Sequence, residues 1–373
     1  MKDNKILAKY MISDGLTEMA ANAVELVVDN NTGIAYACYL SSETTLGEST
    51  ALVKIAKFNI LQPTNVTWAV IFDRNLDFNG NDLLECNVLE LNDKTLRVYC
   101  VNKVTWKYYF KDVDKKTLKA SELKELKFKA NDNAPVLNYD YQTINNEVIL
   151  KNNGTPFSEL QLTSPIIKVD GVYYTTSCGG ANKDHTLFLK SNDGEVWTIK
   201  SVIPRGSNYE AILNYHGGRF WIMCRRGEEE PTNNKAKNLI YSYDGITWQT
   251  SNLELCLSET RPYLFNYQGS LYLAYSSPLN VDFSTVRPWR CNVHVGKIVS
   301  KNGIETFEEE IYKESKFGIV YYALTEWYGK MIMLYSSGEL NPTKGKIFGF
   351  TAGKDCINYT ILKEEEPTLK FEE

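Results

Sequence analysis

Apolar and polar positions alternate with a period of two in short runs along the whole chain, and tight turns separate the runs. Six stretches share one plan: an apolar strand, a turn carrying Gly or a substitute, and a second strand rich in Tyr, Trp and Leu. They read VELVVDNNTGIAYACYL, NVLELNDKTLRVYCV, PIIKVDGVYYTTS, AILNYHGGRFWIMC, PYLFNYQGSLYLAYS and ALTEWYGKMIMLYS. A period of two puts neighbouring side chains on opposite faces of a strand, and DG, GG or QG turns supply the positive φ that closes a hairpin. The turns centre on Gly33, Lys94, Gly171, Gly218, Gly269 and Gly329, at separations of 61, 77, 47, 51 and 60 residues. Four short strands with their loops occupy about 40 to 60 residues, so each interval accommodates one blade. The pattern predicts an all-β fold, a six-bladed β-propeller of four-stranded antiparallel blades. For 373 residues two or three domains would be the default. A sustained repeat favours one closed domain over residues 1–373 instead. The longest interval holds a surface insertion or long loop around 111–160, in which ASELKELKF is a candidate short helix. Residues 364–373 form a short acidic tail.

A second repeat follows the hairpins. Ser191-Asn-Asp193-Gly194-Glu-Val-Trp197 and Ser242-Tyr-Asp244-Gly245-Ile-Thr-Trp248 share S-x-D-G-x-x-W, and Ser300-Lys-Asn302-Gly303 ending at Phe307 is a weaker echo. Asp caps backbone N–H groups, Gly takes the positive φ, and the aromatic ring packs beneath the loop. These loops are read as structural.

Composition narrows the function classes. Lys plus Arg number 41 against 46 Asp plus Glu, a net charge of −5 with no basic block. This argues against a nucleic-acid or anionic-membrane partner. Apolar runs are short and interrupted by charge, so no membrane-spanning helix is expected. The start, MKDNKILAKYMISDG, lacks a signal-peptide stretch; the chain is cytoplasmic or its export signal lies outside it. Tyr, Phe and Trp number 24, 15 and 7, which suits half-buried strands and also sugar faces. Eight cysteines carry no CxxC pair, and those in YACYL, LRVYC and FWIMC read as small core residues. Three histidines without metal spacing call for no metal and no cofactor.

In a propeller the residues that open each innermost strand converge on one mouth. Here these are Asn22, Glu85, Ser164, Glu210, Arg261 and Tyr321. A carboxylate opening an otherwise apolar strand, as Glu210 does, points to the channel or meets an arginine.

The S-x-D-G-x-x-W loops resemble the Asp boxes (bacterial neuraminidase repeats) of the sialidase superfamily, a six-bladed propeller family. Three further segments are similar to it, in the family's order. Glu210 followed by AILNYHGGRFWIMCRR resembles the segment bearing the glutamate and an arginine, here Arg225 or Arg226. Arg290-Cys-Asn292-Val-His294-Val resembles the one supplying another substrate arginine. Gly318-Ile-Val-Tyr321-Tyr-Ala-Leu324 resembles the segment of the catalytic tyrosine. The resemblance implies an exo-acting, retaining glycoside hydrolase on an acidic or acylated sugar, with Tyr321 as nucleophile and Glu210 as its base. A neutral nucleophile avoids repulsion by a substrate carboxylate, and arginine forks bind such a carboxylate. Arg225, Arg226, Arg290, Glu85 and, from another blade, Arg261 are the substrate-binding candidates.

The sequence also departs from the family. No arginine precedes Arg74, and the loop expected to carry an acid/base aspartate, SSETTLGEST, offers Glu43 and Glu48; Glu48 is taken as the candidate acid. The competing readings are a non-catalytic carbohydrate-binding propeller and a polysaccharide lyase or other glycosidase on the same scaffold. His185 is an outside candidate for the latter.

Overall fold

The computed structural model describes residues 6–11, 20–42, 52–105, 107–129, 132, 137–138, 161–179, 185–203, 210–225, 237–255, 257, 261–277, 292–313, 318–338 and 356–362. Among them the chain is all-β, apart from one short helix, Arg74–Phe78, capped by the Asp73 side chain. Six sheets follow one another in chain order. Sheet 1 comprises Ala20–Asp29, Ile34–Ser42, Leu52–Asn59 and Gln62–Asp73; sheet 2 comprises Leu83–Asn92, Thr95–Asn102, Tyr108–Asp114 and Lys124–Glu125. Sheet 4 is built from Ala211–His216, Arg219–Cys224, Lys237–Ser242 and Gln249–Leu255, and sheet 5 from Tyr263–Tyr267, Ser270–Ser277, Asn292–Lys301 and Ile304–Lys313. In sheet 6, Gly318–Trp327, Lys330–Gly338 and Cys356–Leu362 are completed by Ile6–Met11, so the two ends of the chain pair with each other. Each is a four-stranded antiparallel blade.

Sheet 3 breaks the pattern, and the propeller therefore has five four-stranded blades where six were expected. Its inner edge is split: Ile167–Val169 and Gln161–Leu162 both pair with Val172–Gly179. Pro165, which lacks an N–H, lies between the two pieces. Beyond His185–Ser191 and Val196–Ile203, the sheet gains Lys127–Lys129 in parallel, and then Leu137–Asn138. The stretch 120–128 read as a short helix is not helical. Lys124–Glu125 completes sheet 2, and Lys127–Lys129 crosses to sheet 3 with Leu126 and Phe128 buried and Lys127 exposed. Its KELKF core has the strand period of two, and that period prevails over helix propensity once both neighbouring sheets offer an edge.

The inner strand of each sheet packs against that of the next, and Gly318–Trp327 returns to Ala20–Asp29, closing a ring. Apolar side chains fill the gaps between adjacent sheets. Tyr99, Phe110, Leu187 and Trp197 join sheets 2 and 3, while Phe188, Leu213 and Phe220 join sheets 3 and 4. Second strands such as Thr95–Asn102 and Ser270–Ser277 are covered on both faces, whereas outer strands such as Gln62–Asp73 are largely exposed. Two buried tyrosines carry their hydroxyls to backbone carbonyls: Tyr99 donates to Gly194 O at 2.9 Å and Tyr267 to Gly329 O at 3.0 Å. Cys38, Cys86, Cys100 and Cys224 are buried, as small core residues.

Two of the three S-x-D-G-like loops are inter-sheet pegs. Asp193 Oδ1 accepts from the N–H groups of Glu195 and Val196, and Ser191 Oγ from that of Gly194. Asp244 and Ser242 repeat this with Ile246, Thr247 and Gly245. The Gly194 loop abuts Tyr99 and Arg97 of sheet 2, and the Gly245 loop abuts Phe188 of sheet 3. At the weaker echo, Asn302 and Gly303 both take positive φ in a two-residue hairpin turn with open space around Gly303.

Candidate active site

Glu85, Glu210 and Tyr321 share an unusual backbone. Their φ values are 53°, 37° and 47°; among the described residues the other non-glycine residues with positive φ lie in turns, loops or a helix cap. Left-handed backbone costs a side-chain-bearing residue about 1 to 2 kcal/mol. Such strain is retained where the surroundings fix it, often at functional sites. The three residues occupy matching places in sheets 2, 4 and 6. Glu85 and Tyr321 are bulges, where the ladder slips between Leu84 and Cys86 and between Val320 and Tyr322. Glu210 immediately precedes Ala211–His216. The bulge turns each side chain out of the sheet's own alternation.

Arg261, just before the inner strand of sheet 5, joins these residues. Its Nη2 donates to Glu85 Oε2 at 2.6 Å, its Nε lies 3.8 Å from Glu210 Oε2, and its Nη1 lies 3.9 Å from Glu25 Oε1. Its guanidinium carbon stands 5.3 Å from the centre of the Tyr321 ring. One side chain from sheet 5 thus touches residues of sheets 1, 2, 4 and 6. Arg225, at the end of the second strand of sheet 4, donates from Nη1 to Glu210 Oε2 at 2.6 Å. All five ionisable groups, Glu25, Glu85, Glu210, Arg225 and Arg261, are almost fully buried, with Arg225 2% and Arg261 5% exposed.

Burial and proximity set the charges. Burial is the main reason Glu25 is pushed up to about 8; Arg261 opposes the shift and Glu85 adds to it. Burial likewise raises Glu85, against the pull of Arg261. For Arg261 burial disfavours the cation, but Glu85 and then Glu210 outweigh it, and its pKa rises well above the ordinary value. At neutral pH Glu25 is therefore protonated, and two arginines stand against Glu85 and Glu210.

Of the residues singled out in the sequence, the structure brings together Glu85, Glu210, Arg225, Arg261 and Tyr321. Ser164 is a staple: its Oγ accepts from Leu213 N at 2.8 Å and its carbonyl accepts from Asn87 Nδ2 at 3.0 Å. Glu43, Glu48, Arg226, Arg290 and the side chains of Asn22 and His185 lie outside the described residues. Glu25 was missed. It lies four residues before the end of its strand at Asp29, whereas Tyr321 lies six before Trp327. At about 3.3 Å per residue, Glu25 is one layer deeper than the ring. The signal was present in VELVV, a lone carboxylate in an apolar inner strand.

No protein-family model and no curated protein matches the sequence. Solved structures do match it. Trypanosoma rangeli sialidase in complex with the inhibitor DANA superposes with a TM-score of 0.64 at 12% identity, over 92% of this chain and 55% of that one. The Hadza microbial sialidase Hz136 gives 0.62 at 15% identity, over 95% and 68%. A point mutant of NanB sialidase from Streptococcus pneumoniae gives 0.58 at 11%, over 96% and 70%. The chain spans little more than half the length of the T. rangeli protein. At these identities the likeness establishes the fold, a sialidase-like β-propeller.

Proposed function

We propose that the protein is a retaining exo-glycosidase acting on an acidic or acylated sugar at the propeller mouth, with Tyr321 as nucleophile and Glu210 as its base. The observation that carries this reading is the convergence of strained Glu210 and Tyr321 on one buried guanidinium, at the places where the sequence resembles the catalytic segments of sialidases. In the reaction, Tyr321 Oη attacks the anomeric carbon while Glu210 accepts the phenolic proton, and the glycosidic oxygen leaves with a proton from Glu48. Water, giving its proton to the Glu48 carboxylate, then attacks the anomeric carbon and cleaves the glycosyl-tyrosine bond, and Glu210 returns its proton to Tyr321 Oη. Arg225, whose Nη1 donates to Glu210 Oε2 at 2.6 Å, orients Glu210. Arg226 and Arg290 are assigned to the sugar, with Glu85 and Arg261 lining the floor.

The test is release of aglycone from a panel of aryl glycosides. The full chain should turn over at least one of them. Tyr321→Phe should lose at least a thousandfold in kcat with an unchanged melting curve. Full activity in Tyr321→Phe removes the nucleophile assignment. Saturable sugar binding with no product from the unaltered chain replaces the reading with a non-catalytic carbohydrate-binding propeller.

A further inference from the structure

The arginines at the axis are already engaged by the protein's own carboxylates, which bears on what a sugar must carry to bind. Arg225 is 2% exposed with Nη1 on Glu210 at 2.6 Å. Arg261 is covered on each side: Glu85 at Nη2, Glu25 near Nη1, and the Tyr321 ring by its guanidinium carbon. We propose that the site selects a sugar without a carboxylate, an uncharged N- or O-acylated sugar, of the two classes that the glycosidase reading leaves open. The proposal rests on that reading for the location of the site only.

A carboxylate takes two parallel donors from one guanidinium fork. On Arg261 it must displace Glu85 from Nη2, leaving a buried carboxylate without its cation, which costs more than the new pair returns. Each described arginine of the cluster already has a carboxyl group at 2.6 Å, Glu210 for Arg225 and Glu85 for Arg261, with Glu25 beside them. Arg261 Nε has no hydrogen-bond partner, since Glu210 Oε2 at 3.8 Å is too far. A single N–H suits a neutral acceptor such as an acyl carbonyl or a hydroxyl. The carboxylates of Glu85 and Glu210 in turn accept from sugar hydroxyls or an amide N–H. A sugar bearing an acyl group and hydroxyls fits both, whereas a sialic acid or uronic acid would bring a charge that the floor does not accommodate.

The experiment titrates the full chain at pH 7 with free sugars, reading binding by ligand-observed NMR so that turnover is not needed. Matched pairs isolate the charge: N-acetylneuraminic, glucuronic and galacturonic acids, each against its methyl ester. N-acetylglucosamine and N-acetylgalactosamine against glucose and galactose isolate the acyl group. In every pair that binds, the ester should bind at least tenfold more tightly than the acid, and the N-acetyl sugar more tightly than its parent. Any acid binding tenfold more tightly than its ester overturns the proposal, as does the absence of saturable binding by every uncharged sugar. Glu85→Gln frees a fork of Arg261 and should raise affinity for the acids at least tenfold; an unchanged preference in that folded variant also overturns it. Binding selectivity as stated without hydrolysis of any glycoside would sink the hydrolase reading and leave this inference standing.

Discussion

Arg261 Nη2 meets Glu85 Oε2 at 2.6 Å across 176 residues of sequence, tying the inner strands of sheets 2 and 5 together over the axis. The pair is buried, so its value lies in completeness: removing one member leaves the other charged and dry. Arg261→Met is expected to lower unfolding free energy by about 3 to 5 kcal/mol, measured by chemical denaturation at pH 7. Arg261→Lys, which retains the charge without the fork, should lose less. A loss below about 1 kcal/mol in Arg261→Met would show that the axis tolerates an unpaired Glu85.

Glu25 gives the protein a pH dependence of opposite sign to that of an ordinary ion-paired carboxylate. Its pKa is about 8 in the fold against 4.5 for an ordinary glutamate. Between those values the folded state holds a proton that the unfolded chain has released. Its contribution is therefore fully present below about pH 4.5 and is lost as pH rises toward 8, with a limiting slope of about 1.4 kcal/mol per pH unit. Glu25→Gln should remove that slope. The variant's stability relative to the parent should improve steadily from pH 5 to pH 8. Parallel stability curves for the two proteins would contradict a protonated Glu25.

How far this arrangement could be read beforehand depends on the residue. Hairpins announced themselves through period two and turn glycines, and counting back from each turn located Glu85, Glu210 and Tyr321 without any coordinates. Glu25 escaped that count because the ladder slips between Asn22 and Glu25, and a slip is a property of pairing, not of one strand's pattern. Sheet 3 escaped because its extra strands come from residues 127–138, far from its hairpin in sequence, and a parallel edge leaves no turn to recognise. The partners of Arg261 were equally illegible. Four of them come from four different sheets, and only closure of the ring brings them together.

The two S-x-D-G-x-x-W loops should respond to an added methyl group far more than an ordinary turn does. A Cβ at Gly245 would stand 2.4 Å from Phe188 Cε1, and one at Gly194 2.7 Å from Tyr99 Oη. At Gly269 the φ is the same as at Gly245, 69°, but nothing lies within 4 Å. Gly269→Ala then reports the backbone cost alone, about 1 to 2 kcal/mol. Gly245→Ala adds overpacking of about 1 to 3 kcal/mol. Melting temperatures should rank Gly269→Ala above Gly194→Ala and Gly245→Ala. Equal losses at all three would mean that the loops do not peg neighbouring sheets.

Tyr321 offers a way to separate backbone strain from side-chain chemistry. Its φ of 47° is paid by any residue with a Cβ and by glycine hardly at all. Tyr321→Ala and Tyr321→Gly delete the same phenol and leave the same space beside Arg261, so their difference isolates the backbone. In an extended strand glycine would be the less stable of the two, through its greater freedom in the unfolded chain. Here the order should reverse, with Tyr321→Gly more stable than Tyr321→Ala by about 1 kcal/mol, as read from paired denaturation curves. If alanine proves the more stable, position 321 is not left-handed, and the bulge that aims the phenol at the axis is lost with it.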